Sequence, residues 1–382
     1  MKSTPPRKYD TDSTIKKPRN SNLELYRIIV MLLIIAHHYV VNSGLFQVLQ
    51  EEPLNFSSTM MLLFGAWGKT GINCFVLITG YFMCKSQFTW QKLLKLYLQI
   101  VFYTIIIYGV FCITGHERLT AYNIIWKLWP AKSIASDFTS CFILFYLFIP
   151  FLNIFVLSLS RKSHLMLVTL MLLVFSILPT VPLISVSFNY VTWFAVLYFV
   201  GSYIRLYGFG KSIKHSTWGW ISLLLILIAS CCIIGMTYIY KMGFIPKFYP
   251  YFFISDSNKI LSLAIAVSSF MYFKDLRIPH SRLINAIGGA TFGVLLIHAN
   301  SDAMRTWLWR ETVDCIGNYK DDVWMTLGYA SGCVLIIFVV CAGIDWFRGR
   351  FIEPKLLVGT KRLFTPLARK IGESKIFRRI GI

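Results

Sequence analysis

The sequence predicts an all-α, polytopic membrane protein, and three observations carry that expectation. Apolar residues make up 56% of the 382 positions and charged residues 14%, with a mean hydropathy of +0.61; an ordinary soluble domain carries about 25% charge. The apolar residues gather into blocks near the length that crosses a hydrocarbon core, about 20 residues for about 30 Å. Within the blocks the apolar character is continuous rather than alternating, as in helices and unlike barrel strands.

Residues 1–22, rich in Lys, Pro, Ser and Thr and without an apolar period, are expected to form a disordered basic cytoplasmic tail. The stretch is too long and polar for the start of a signal peptide, and no small-residue cleavage site follows the first apolar block, so the first span is expected to be retained. About ten transmembrane helices then make one membrane domain, residues 23–347, with spans near 23–41, 59–83, 92–114, 138–158, 164–181, 189–207, 217–240, 258–273, 285–304 and 325–347. The longest outer loops fall at 115–137, 241–257 and 305–324. Residues 348–382 mix Leu, Ile and Phe with Lys and Arg, which suits a basic amphipathic helix on the inner leaflet. No internal repeat, nucleotide-binding glycine loop or metal-ligand spacing is present.

Orientation follows from the basic residues outside the spans. Taking loops alternately, one side receives 27 of the 38 Lys and Arg, including both tails, and the other side ten. Short cytoplasmic loops carry the positive excess, so both termini are expected inside, in a plasma or inner membrane. The net charge of +21 is therefore topology plus attraction to anionic lipid, and gives no support to a nucleic-acid partner. Eight of the nine cysteines fall in or beside apolar blocks, and only Cys315 lies in an outer loop, so no disulfide framework between loops is expected.

The chemistry is sought at ionisable residues inside spans, which are costly there without a use. Arg27 and His38 stand eleven residues apart in the first span, which puts them on one helix face with about 16 Å of rise between them. Glu24, one turn before Arg27, is expected to pair with it. His37 points about 100° away from His38 and is expected to be structural. Neutral imidazole titrates near cellular pH, so His38 can take a proton from a reacting group or act as a nucleophile itself. His298 and Asp302, near the outer end of the ninth span, are acceptor-side candidates. Trp126, Trp129, Trp307 and Trp309 are expected in interfacial aromatic belts rather than as sugar platforms.

Arg27 and His38, in the setting Asn22-Leu-Glu-Leu-Tyr-Arg-Ile-Ile and ending Ala36-His-His-Tyr, resemble the first-helix signature of the acyltransferase 3 family of integral-membrane O-acyltransferases. Four further segments are similar in order: Gly71-Ile-Asn-Cys-Phe-Val-Leu-Ile-Thr-Gly-Tyr-Phe, Phe145-Tyr-Leu-Phe-Ile-Pro-Phe-Leu-Asn, Tyr198-Phe-Val-Gly-Ser-Tyr-Ile-Arg and Thr291-Phe-Gly-Val-Leu-Leu-Ile-His. The resemblance covers roughly residues 20–350, and ten spans with both termini inside is that family's architecture as well. It implies transfer of an acyl group, acetyl being the one expected, from cytoplasmic acyl-coenzyme A to a hydroxyl of a cell-surface glycan or its lipid-linked precursor. It also implies a catalytic role for His38 and a donor-side role for Arg27. Where the family often has Arg-x-x-Arg, this chain has Lys92-Leu-Leu-Lys95, which can hold phosphates as point charges but without the bidentate fork. The expected partners are thus acyl-coenzyme A as donor substrate, a glycan acceptor and membrane lipid, with no bound cofactor and no metal. A transporter, or a noncatalytic subunit of polysaccharide export or biosynthesis, is the alternative; the first would show broken helices in paired repeats, and the second would tolerate loss of Arg27 and His38.

Overall fold

Nine of the described helices begin where the sequence supplies a side-chain oxygen to their free N–H groups. Asn55, Thr89, Thr120, Asp137, Ser160, Asn189, Ser281 and Ser301 each accept from the backbone N–H three positions on, and Asp322 accepts from those of Trp324 and Met325. The computed structural model describes residues 19–360, apart from 53, 130, 132–136, 183, 185, 210, 211 and 321, and contains no strand among them. The expected disordered tail lies outside the described residues up to position 18, and so does 361–382 of the expected amphipathic tail.

The chain runs through α1 (Ser21–Val41), α2 (Leu45–Glu51), α3 (Phe56–Phe64), α4 (Gly68–Met83), α5 (Trp90–Ile113), α6 (Ala121–Leu128) and α7 (Phe138–Ser158). Next, α8 (Arg161–Leu172) passes through a π-helical turn, Leu173–Ile177, into α9 (Leu178–Thr180). After α10 (Tyr190–Tyr207), α11 (His215–Lys241), α12 (Ile260–Asp275) and α13 (Arg282–His298) comes α14 (Asp302–Thr306), continued by a π-helical stretch, Trp307–Thr312. The last helix, α15 (Val323–Phe347), is followed by another π-helical stretch, Arg348–Ile352. Every predicted span is helical, with three corrections. The second is broken at 65–67 into α3 and α4. The ninth stops at His298, and the chain bends by 95° into the helix from Asp302 to Thr312. The last does not end at 347 but stays helical to Thr360.

Among the described residues, seven helices are long and apolar enough to cross a membrane, or eight if the bent pair is one span. The two other predicted spans are α10, diluted by its tyrosines, and α12, of 16 residues. Both nevertheless run between the same two ends of the molecule as the rest. At one end Asn22 donates to the carbonyls of Phe273 and Lys274, and Tyr207 donates to that of Leu159. At the other, Lys69 reaches the Tyr190 hydroxyl, the Ile260 N–H donates to Thr180, and Ser57 donates to the carbonyl of Lys320. Loops assigned to one side by their order in the chain thus share one end.

At the centre α4 packs on α1, α10 and α12. The backbones of α4 and α10 cross closely: a Cβ on Gly80 would stand 2.9 Å from Tyr198 Cα, and one on Gly201 2.8 Å from the Leu77 carbonyl oxygen. Only glycine allows backbones so near. Buried polar side chains lock the same region, with Asn73 donating to the Ser257 carbonyl and accepting from Trp193 Nε1, and Asn153 joining the Met83 carbonyl to the Tyr198 hydroxyl. Large apolar side chains such as Ile113, Phe148, Leu224 and Val339 face outward instead, as lipid-facing positions do. Burial corrects one aromatic-belt expectation and also encloses the loop cysteine. Cys315 is fully buried despite its loop position, and Trp309 packs edge-on against Tyr39 in the core rather than in an interfacial belt; Trp126 and Trp129 are exposed.

Candidate active site

A cavity of about 1040 Å³ follows one face of α1, lined in turn by Arg27, Met31, Ile34, His38 and Asn42. Steps of three and four residues keep one helix face on the cavity. Arg19 and Arg27 mark one end; Asp302, Arg305 and the ion pair of Lys127 with Glu117, 3.3 Å apart, mark the other. His38 therefore stands between two polar mouths, walled by Phe75, Phe142 and Phe292.

The imidazoles set one another's protons. His298 Nδ1 lies 2.7 Å from the Val294 carbonyl oxygen, and His298 Nε2 lies 3.0 Å from His38 Nδ1. A carbonyl oxygen only accepts, so the Nδ1 of neutral His298 carries the hydrogen and its Nε2 must accept. His38 Nδ1 then donates, which leaves the lone pair of His38 on Nε2. This is the tautomer a general base or nucleophile needs, and the second imidazole orients it as a third group does in a catalytic triad. His298, an acceptor-side candidate from the sequence, is buried behind His38 and does not line the cavity. His37 donates to the Gly65 carbonyl at 2.6 Å, and its ring rests on Gly68, where a Cβ would come within 2.3 Å of the ring.

At the first mouth Arg27 donates to both carboxylate oxygens of Glu24, at 3.1 and 3.2 Å, and Arg19 lies 3.5 Å from the same group. Glu24 is buried against α13 beside Gly288. The predicted Glu24–Arg27 pair is present. Lys92 and Lys95, in contrast, do not line the cavity: Lys92 donates to Ser86 Oγ and the Gln87 carbonyl, and Lys95 lies 2.6 Å from Glu353. Asp302 lines the far mouth, paired with Arg305 at 2.8 Å across the helix restarted after the bend.

Sequence reasoning missed three features. Arg19 belongs to the first mouth, but nothing in the polar tail marks it. Lys69, counted as a loop residue, lines the cavity beside His37 and bonds the Tyr190 hydroxyl at 3.0 Å; its place inside an apolar block was the available signal. Asp345, buried within α15, accepts from Gln99, Tyr103 and Arg348, and Arg348 passes the network on to Glu353 and so to Lys95. The rule that singled out Arg27 and His38 applies to it equally.

No curated protein and no solved structure matches the chain. The family model of the acyltransferase domain named acyltransferase 3 matches residues 20–346, which takes in α1 and His38 at one extreme and Asp345 at the other. The chain belongs to the acyltransferase 3 family, and its activity is membrane acyl transfer.

Proposed function

We propose that the protein, as a ten-span protein of the inner or plasma membrane with both termini inside, moves an acyl group, acetyl in the simplest case, from cytoplasmic acyl-coenzyme A to a hydroxyl of a surface glycan or its lipid-linked precursor. The observation that supports this reading best is the single cavity that leads from the Arg19–Arg27 mouth past His38 to the Asp302–Arg305 mouth. Guanidinium groups suit the donor's phosphates. Arg27, braced by Glu24, and Arg19 hold them, while Lys92 and Lys95 guide the donor from nearby. The thioester then reaches His38. Its Nε2 takes the acceptor's hydroxyl proton as the oxygen attacks the thioester carbonyl; the C–S bond breaks, and the departing thiolate regains the proton from His38. Dipoles and apolar walls in place of water strengthen each charge interaction on the way.

The test is ester formation on surface glycan in cells that carry His38→Ala at normal membrane level. Loss of ester is expected. Full ester content in that variant would remove His38 from the reaction, and a wild-type membrane that transfers no acyl group from acyl-coenzyme A would remove the donor.

A further inference from the structure

A second cavity, of about 560 Å³, lies between α2 and the segment that joins α11 to α12. His37, Val41 and Lys69 line both cavities, so the two meet one residue from His38. Its remaining walls combine the rings of Phe46, Tyr249 and Tyr251 with the amides of Gln47 and Gln50 and the ammonium group of Lys247. No carboxylate is found among the described residues that line it.

The groove is built before anything occupies it. Phe46 packs 5.2 Å from Phe248 and 5.6 Å from Tyr251. The joining segment is tied down on both sides: Tyr251 donates to the Leu62 carbonyl at 2.8 Å, Ser257 donates to the Lys69 carbonyl at 3.1 Å, and Lys241 donates to the carbonyls of Gln50 and Glu52. Tyr249 stays 43% exposed with Lys247 Nζ 4.5 Å above its ring, an aromatic face and a cation side by side at the rim. Aromatic faces cover the C–H face of a sugar ring, while amides donate to and accept from its hydroxyls. Lys247 and Lys69, with no carboxylate among the described lining residues and Asp256 acting on Lys69 from behind the wall, favour an anionic ligand.

We propose that this groove seats the acceptor as an anionic sugar chain, stacked on Tyr249 and Phe46 with its acid group at Lys247, and delivers a hydroxyl past Lys69 to His38. The proposal rests on the acyl-transfer reading given above and adds the acceptor's path and charge to it.

The experiment titrates detergent-solubilised full chain with fluorescently labelled, base-deacylated surface polysaccharide from cells that carry the protein. Wild type should bind, and Lys247→Glu and Tyr249→Ala should each weaken binding tenfold or more. Reduction of the polysaccharide's carboxylates, or removal of its phosphates, should abolish binding and so tell which acid is read. Variants that bind as wild type does, a polysaccharide indifferent to both treatments, or no binding at all would overturn the groove. Binding that depends on the groove in a protein that transfers no acyl group would keep this proposal and overturn the reaction.

Discussion

In the proposed reaction the lone pair on His38 Nε2 depends on a backbone carbonyl 256 positions later in the chain, that of Val294, through the ring of His298. Removing His38 should lower turnover by about 10²- to 10⁴-fold, the usual worth of a positioned base, while His37→Ala, which loses a bond to the Gly65 carbonyl, should do much less. His298→Ala should lower kcat with the acceptor KM unchanged, and His298→Gln should recover part of the rate, because an amide oxygen can still accept from His38 Nδ1. Steady-state kinetics on isolated membranes check this; a rise in acceptor KM alone would return His298 to the acceptor side. At the proposed donor mouth Arg27→Ala should raise the KM for acyl-coenzyme A by about tenfold, or about 1.4 kcal/mol, and more than Lys92→Ala does. Local spacing made Arg27, Glu24 and His38 legible, because a helix turns three- and eleven-residue intervals into one face. The contact of His38 with His298 joins residues 260 apart, and no local pattern encodes it.

Helices were legible as apolar blocks, but their breaks were not. The 65–67 break and the 95° bend after His298 occur in stretches that remain apolar or mildly polar, so composition passes straight through them. Both breaks serve the site: the first seats His37 at Gly65 and Gly68, and the second brings Ala299, Asn300 and Ser301 to the cavity wall. The continuation of the last helix to Thr360 has a cause the sequence did hold, since Asp345 and Glu353 share Arg348 and pin the extension to α5 through Lys95. With Arg348 and Asp345 each about 5% exposed, one cannot be removed alone without stranding the other. Asp345→Ala should destabilise the protein by about 3–5 kcal/mol, as the loss of one partner from a buried pair does. Thermal unfolding in detergent checks this, and the double variant Asp345→Ala with Arg348→Met should recover part of the loss, because the unpaired charge is then gone too.

At the scale of the whole molecule the proposed reaction needs a direction, because a donor made in the cytoplasm must meet the Arg27 mouth and a surface acceptor must enter from the opposite end of the molecule. The basic residues give that direction through short loops, and the contacts between loops agree on which of them share an end: Asn22 with Phe273 and Lys274 at one, His116 with Glu311 and Lys241 with Gln50 and Glu52 at the other. Single cysteines turn this into a measurement on intact cells with an impermeant maleimide. Cysteines at exposed Glu51 and Glu311 should label from outside, and those at exposed Lys85, Arg161 and Arg277 only after the cells are opened. Native Cys315 need not be removed. It is fully buried, and burial pushes its thiol up to about 12, far from the thiolate that reacts; it should label only once the protein is denatured. Reversed labelling would put the arginine mouth outside, where acyl-coenzyme A is not made. Labelling at 161 and 277 from opposite sides would mean that one of the helices between them, α10 and α12 foremost, does not cross, and the cavity would then have no route from donor to acceptor.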